Sequence, residues 1–354
     1  MTNRQTGILG VATLVAVLAA LWVVFSDHGN GPETPDGGPL LADFGGEAAS
    51  VDTVAITKQD AAVTLQKTEG GWGIAERGGF PADANKVRGL LRGLARSERL
   101  EAKTDNPALF DRIELGEEAK MLTARAGETA VASLKIGKRQ LLASDAKTFV
   151  LVNGEDRAWL VSELPDISAE ADDWLEKEIL AVARNRIAGV TVTHTDGAVT
   201  EISRPGPEDA NFDLAGLGED EELNYAGAAS TVAAAITSVR MEDVVAATEK
   251  PFEADATAVF KTFDGLTVTA EVAEIDEEFW ARFGAAYDAA VAESETAPEA
   301  MPDAAPDGQA EADRLSALFA ERAFRLPRFK AEDMIRARGD LIRPKPEPED
   351  TPAN

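Results

Sequence analysis

The chain contains no cysteine among its 354 residues. Disulfides, thiolate nucleophiles and cysteine-ligated metals are excluded together. So is a lipoprotein anchor, which needs a cysteine to acylate. Histidine is nearly as scarce, with only His28 and His194. Any imidazole metal site or Ser-His-Asp triad would have to recruit one of them. His194 stands between Thr193 and Thr195 in an alternating pattern, which reads as a surface strand position. Positive charge is the third shortage: 35 Lys and Arg face 63 Asp and Glu, for a formal charge of −28 at pH 7. Such a body repels nucleic acid and anionic lipid headgroups, and nucleic acid is set aside as a partner. Three motifs are also missing: the Gly-x-x-x-x-Gly-Lys-Ser/Thr phosphate loop, a Gly-x-Gly-x-x-Gly after a strand, and a Gly-x-Ser-x-Gly elbow. The chain therefore reads as non-enzymatic, with no cofactor and no metal.

What is present begins with Ile8 to Phe25, ILGVATLVAVLAALWVVF, a run without charge. At ~1.5 Å per residue it covers roughly 27 Å as a helix, close to the ~30 Å core of a bilayer. It is apolar all round, unlike the one-sided stripe of a surface helix. Arg4 precedes it, whereas Asp27, Glu33, Asp36, Asp43 and Glu47 follow it before the next base, Lys58. The positive-inside rule then places residues 1–7 in the cytoplasm, the span at 8–25 among membrane lipid, and the body outside the inner membrane. A cleaved signal peptide is the rival reading. Ala19-Ala20 is followed by LWVVF, so cleavage there would leave an apolar new terminus. Residues 26–50, rich in Gly, Pro and acids, read as a flexible tether.

Composition that is 44% hydrophobic and 28% charged suits a folded body, and the length suits about two domains. From Val51 onward the same pattern occurs twice. Val54 and Ile56 alternate into a turn at Gln59-Asp60, then Val63 and Leu65 alternate; Val190 and Val192 lead through Asp196-Gly197 to Val199. Val54 and Val190 are 136 positions apart, as are Val63 and Val199. Trp72 corresponds to Phe212, and the helical set Val87, Leu90, Leu91, Leu94 to Ala229, Val232, Ala233, Ile236, with Asp83 a fitting N-cap for the first. Phe110 corresponds to Phe252, both now offset by 142, and Trp159 to Phe324. The expectation is an α+β fold of two tandem repeats, 51–182 and 183–342, each of antiparallel strands with packed helices.

The second repeat carries an acidic insertion at 290–313 without Lys or Arg, read as a mobile loop; residues 343–354 read as a disordered tail. The run Glu219-Asp220-Glu221-Glu222 offers oxygen ligands but lacks EF-hand spacing, and reads as a solvated acidic loop. The aromatics Trp72, Trp159, Trp174, Phe212, Trp280 and Phe324 suit core packing. Trp280, followed by Arg282 in FWARF, is the position best suited to contact a partner or ligand.

Three runs resemble a known family: Val54 to Lys67 (VAITKQDAAVTLQK), Gly71 to Ile74 (GWGI) and Pro81 to Leu94 (PADANKVRGLLRGL). Ile136-Gly137 and Asp173 to Leu175 are also similar to its pattern. The family is DUF4340, a domain of unknown function, and the resemblance extends over about 51–342. Its motifs are strand and helix signatures, and it supplies no catalytic residues. Members are often encoded beside ABC-type permeases. The resemblance thus implies an accessory subunit of a transport or export complex, with such a permease as partner. The alternative is an anchored envelope enzyme or glycan-binding module using carboxylates and exposed aromatics.

Overall fold

The computed structural model describes residues 37–142, 145–292, 303 and 307–346. The expected α+β class holds, with sheets that are mostly antiparallel and several helices. The proposed span at 8–25 and most of the acidic insertion lie outside the described residues. Among the described residues no helix is long and apolar enough to cross a membrane.

Two compact units share the chain. The described part of the first is 37–67 with Asn85–Glu170; the second is Thr68–Ala84 with the residues from Ala171 onward. Strand β1 (Thr53–Lys58) and β2 (Ala61–Thr68) form the opening hairpin, closed by Gln59 in the left-handed region at φ 50°. A second hairpin, β3 (Gly71–Ile74) and β4 (Phe80–Pro81), groups with the second unit. After the helix Ala84–Arg96 the first unit continues with β5 (Arg99–Ala102), β6 (Lys120–Ala126), β7 (Thr129–Leu142), β8 (Asp145–Val152) and β9 (Trp159–Val161). Its strands run β2-β1-β6-β7-β8-β9-β5, every neighbour antiparallel.

In the second unit β10 (Glu178–Leu180) pairs with a later strand, and β11 (Ile187–His194) and β12 (Val199–Ser203) form the hairpin expected around Gly197, whose φ is 85°. There follow β13 (Asp213–Leu214), β14 (Glu221–Leu223), β15 (Val239–Arg240) beside β10, β16 (Asp243–Ala246), β17 (Ala256–Thr262), β18 (Leu266–Ile275), β19 (Glu278–Tyr287), β20 (Arg322–Leu326) and β21 (Ile342–Pro344). The main sheet reads β13-β12-β11-β17-β18-β19-β20-β16. From β12 to β16 this is the first unit's order, strand for strand.

Alternation explains these strands. In β1 and β2 the buried side chains are Val54, Ile56, Val63 and Leu65; in β17 and β18 they include Phe260, Val268, Ala270 and Val272. Side chains at every second position share one face, and each fully buried Val or Leu contributes about 1.5–3 kcal/mol. The helix Ala84–Arg96 starts directly after Asp83 and turns Val87, Leu90 and Leu94 inward. Gly93 lies on the same face because a methyl group there would collide with Pro165.

Four segments differ from their sequence reading. Residues 308–313, expected in the mobile insertion, open the helix Gly308–Phe319, capped by Asp307 and tied down by the Glu311–Arg186 pair. Residues 37–50 were expected in the tether, yet Leu40 and Phe44 are each 1% exposed and Pro39 forms a β-bridge to Glu98. Two large apolar side chains among the glycines suffice to join the core. Residues 68–84 were expected in the first repeat, but Phe80 sits in an aromatic cluster of the second unit, its ring 5.9 Å from Phe324, and Arg77 holds Asp243 through two hydrogen bonds of 2.7 and 3.1 Å. Residues Arg343 and Pro344, expected in a disordered tail, belong to β21 and pair with Glu222 and Glu221 of β14. Opposite charge fixes that strand: Arg343 meets Glu222 at 2.8 Å, and Lys345 donates to the Glu219 carbonyl.

Candidate functional site

In the first unit a shallow concavity forms around a 3-10 helix, Pro107–Ile113. Local sequence dictates that helix. Asn106 accepts a hydrogen bond from the Ala108 amide at 3.1 Å, Pro107 occupies the first position, and Glu114 ends it at φ 58°. The spacing of Leu109, Phe110 and Ile113 then presents apolar side chains to β8 and β9. Phe110, Ile113 and Leu151 pack against a buried cluster of Leu115, Phe149, Ala158 and Leu160. Gly137 in β7 makes room, since a methyl group there would meet the Ile113 carbonyl and the Leu115 side chain.

A groove of about 510 Å³ opens on one side of this helix. Phe149, Leu109 and Ile113 supply apolar surface, while Lys103, Arg112 and Asp105 supply charge. The Lys103 ammonium stands 5.9 Å from the centre of the Phe149 ring. Arg157 donates to Asp105 at 2.8 Å, and that hydrogen bond holds the Asp105 carboxyl below the usual range. Asp105 is neutralised by Arg157 and Lys103 by Glu101 at 2.6 Å, which leaves Arg112 as the groove's charge without an ion pair among the described residues. A second hollow of about 420 Å³, lined in part by Phe110, Leu151 and Glu155, adjoins it through Asp105. Glu155 is engaged: it accepts from Arg99 at 2.6 and 3.0 Å and from the Trp159 indole at 3.0 Å. The arrangement suits an apolar group flanked by negative charge.

The residues singled out in sequence, Trp280 and Arg282, lie at the matching place in the second unit. Val150 pairs with Trp159 as Ala281 pairs with Phe324, so Phe149 corresponds to Trp280 and Leu151 to Arg282. The side chains there are packed to the same degree as in the first unit, where Phe149 is 5% exposed as well. Trp280 is 5% exposed with Lys250 5.1 Å from its ring centre, and Arg282 lies 4.4 Å from the Phe252 ring centre while bonded to Glu271 at 2.9–3.0 Å. Trp159, Trp174, Phe212 and Phe324 are likewise buried, and Trp72 is half-buried.

The remaining charged clusters are structural in geometry. Arg186, 4% exposed, bonds Asp264 at 2.8 Å and Glu311 at 2.6 and 3.1 Å, tying the helix Gly308–Phe319 to the start of β11. Burial works against the Arg186 charge, but the bond to Glu311 and the Asp264 charge outweigh it and raise its pKa. Arg204 has four backbone carbonyls as acceptors, those of Arg184, Ile187, Pro207 and Asp209, and lies near the Phe212 and Phe263 rings. In the acidic run, Arg338 bonds Glu221 at 2.6 Å and holds its carboxyl below the usual range. Among the described residues no group of three or more His, Asp and Glu is arranged to hold a metal ion.

Trp280 and Arg282 thus hold the sheet position in the second unit that Phe149 and Leu151 hold in the first. Asn106-Pro107 followed by Leu109, Phe110 and Ile113 was the available signal for the groove, a capped helical turn with one apolar side. A family model described as a domain of unknown function (DUF4340) matches residues 72–258, more than half of the chain. That match begins in β3 and ends in β17, so it spans parts of both units. No curated protein and no solved structure matches the chain.

Proposed function

The chain belongs to the DUF4340 family, and from that premise we propose that it is a membrane-anchored binding subunit outside the inner membrane, an accessory to an ABC-type transport or export complex. In this reading residues 8–25 span the bilayer and the two units arose by duplication, which their common strand order supports. The observation that carries the reading is the groove beside Pro107–Ile113, whose apolar surface and unequal charge are suited to recognition. Its occupant is an apolar residue flanked by acids on the partner permease. The glycan-binding alternative needs exposed aromatic faces; Trp159, Trp174 and Trp280 are each at most 8% exposed, which leaves Phe329 and Tyr225, 64% and 48% exposed, as its candidates.

Co-purification in mild detergent tests this. The chain should bring a permease with it, and the Leu109→Glu variant should lose that permease while remaining folded. Recovery of the chain with no other membrane protein would count decisively against the accessory role.

A further inference from the structure

We propose that the helix Ala84–Arg96 is the docking surface for the acidic stretch of this same chain that precedes Gly37, residues 27–36.

The helix has the opposite charge to the rest of the chain. It carries Lys86, Arg88, Arg92 and Arg96 and no acid, where the whole sequence has a formal charge of −28. Val87, Leu90 and Leu94 turn inward, which leaves Arg88, Arg92 and Arg96 as an exposed stripe on the other side. At ~1.5 Å per residue the stripe is about 12 Å long. Arg88 donates to Asn85 at 2.7 Å, one turn back along it. Neither Arg92 nor Arg96 makes an ion pair among the described residues. Glu98 and Glu163 border the helix, the second through its carbonyl beside Gly93, and both are exposed. Cations at this spacing repel one another, so the stripe weakens the helix until a counter-charge lies on it. The fold does not demand these cations. The counterpart in the second unit, Ala228–Ala233, carries no charge at all.

The chain brings acids to the same place. The Leu40 amide donates to the Ser97 carbonyl at 2.7 Å, and the Arg99 amide to the Gly38 carbonyl at 2.9 Å. With the bridge from Pro39 to Glu98, this lays residues 37–40 antiparallel to the segment just after the helix. Gly37 stands beside the Arg99 carbonyl, three positions past Arg96 and roughly 10 Å from it at ~3.3 Å per residue. Residues 27–36 hold Asp27, Glu33 and Asp36 and no Lys or Arg. Pro35-Asp36-Gly37 is a turn sequence, and a reversal there aims the chain back along the helix. At ~3.6 Å per residue these ten positions reach about 36 Å, more than the roughly 22 Å from Gly37 to Arg88. Three acids can then lie along three arginines. Exposed pairs are weak singly, so the docking depends on all of them and on low salt. In the anchored reading it would shorten the link between residue 25 and the first unit, but the inference stands without that reading.

The absence of cysteine makes the test clean. Thr34→Cys and Gly89→Cys give the full chain two thiols for nitroxide labels, and no atom lies within 4 Å of where a side chain at 89 would begin. The distance between labels is measured by electron spin resonance in a nonionic detergent. The proposal expects a short, narrow distance. It should broaden and lengthen when Asp27→Asn, Glu33→Gln and Asp36→Asn are combined, a set that leaves the described body unaltered. Arg88→Glu with Arg92→Glu and Arg96→Glu should do the same, and adding Asp27→Lys, Glu33→Lys and Asp36→Lys should restore the short distance. Salt at about 1 M, where screening acts over ~3 Å, should release the stretch as well. A broad distance at low salt overturns the proposal, as does a narrow one that these substitutions leave alone. Loss of the short distance on dilution with unlabelled chain would mean docking onto a second copy, and overturns it too. So does release by phosphatidylglycerol vesicles and not by phosphatidylcholine vesicles, which would assign the helix to lipid.

Discussion

The two units solve one sheet order with different chemistry at one place. Phe149 and Leu151 of the first unit stand where Trp280 and Arg282 stand in the second. With Phe149 and Leu151, the covering Pro107–Ile113 turn leaves a groove at its side. With Trp280 and Arg282, Lys250 and Phe252 come down onto the sheet through ring and ion contacts. The two places share a buried ring beneath a lysine, 5.9 Å away at Phe149 and 5.1 Å at Trp280, and differ in Leu151 against a paired arginine. Strand order constrains neither outcome, because the difference lies wholly in the side chains on one face.

The sharpest way to break this contrast is at the ion triad of the second unit. Glu311→Ala leaves Arg186 facing only Asp264, and removing one partner of a buried pair costs about 3–5 kcal/mol. Native-state hydrogen exchange should show that loss in β11 and β19, with β6 and β7 unchanged. Gly137→Ala acts on the first unit instead. Overpacking against Ile113 and Leu115 should cost about 1–3 kcal/mol, read as a shift in urea midpoint, and should spoil the groove without changing amide protection in β18. Leu109→Glu should leave stability within about 0.5 kcal/mol, since that side chain is only half-buried, while partner recovery falls sharply.

The smallest effect is the response to acid. The Arg157 hydrogen bond lowers the Asp105 pKa, and the Arg338 hydrogen bond lowers that of Glu221. A carboxylate depressed in the folded state adds stability above its unfolded pKa and loses it as pH falls through the folded value. Denaturation midpoints measured below about pH 4 should therefore decline in both units. Arg157→Gln should flatten the first unit's decline and Arg338→Gln the second's. Both pairs are exposed, so each change is slight.

Much of the architecture was legible in the linear pattern. The hairpins around Gln59-Asp60 and Gly197, the helix after Asp83, and the pairing of Trp159 with Phe324 all rest on local alternation and turn chemistry. The groove was not legible, because Lys103, Leu109, Arg112 and Phe149 come from four separate segments and nothing local unites them. The same holds for Phe80, whose place beside Phe324 depends on a contact 244 positions away. Charge runs misled for a related reason. The acids at 219–222 read as solvated, and Glu219 and Asp220 are exposed, yet Arg338 and Arg343 answer Glu221 and Glu222 from more than a hundred positions downstream.

The sequence by itself determined the α+β class, the twofold pattern of strands and the family, because periodicity and turn residues act over a few positions. The tertiary structure alone decided where the groove beside Pro107–Ile113 forms, which unit holds residues 68–84, and which charges are spent on each other. Those outcomes depend on close packing and ion pairing between residues far apart in the chain, where a single methyl group at Gly137 is enough to change the result.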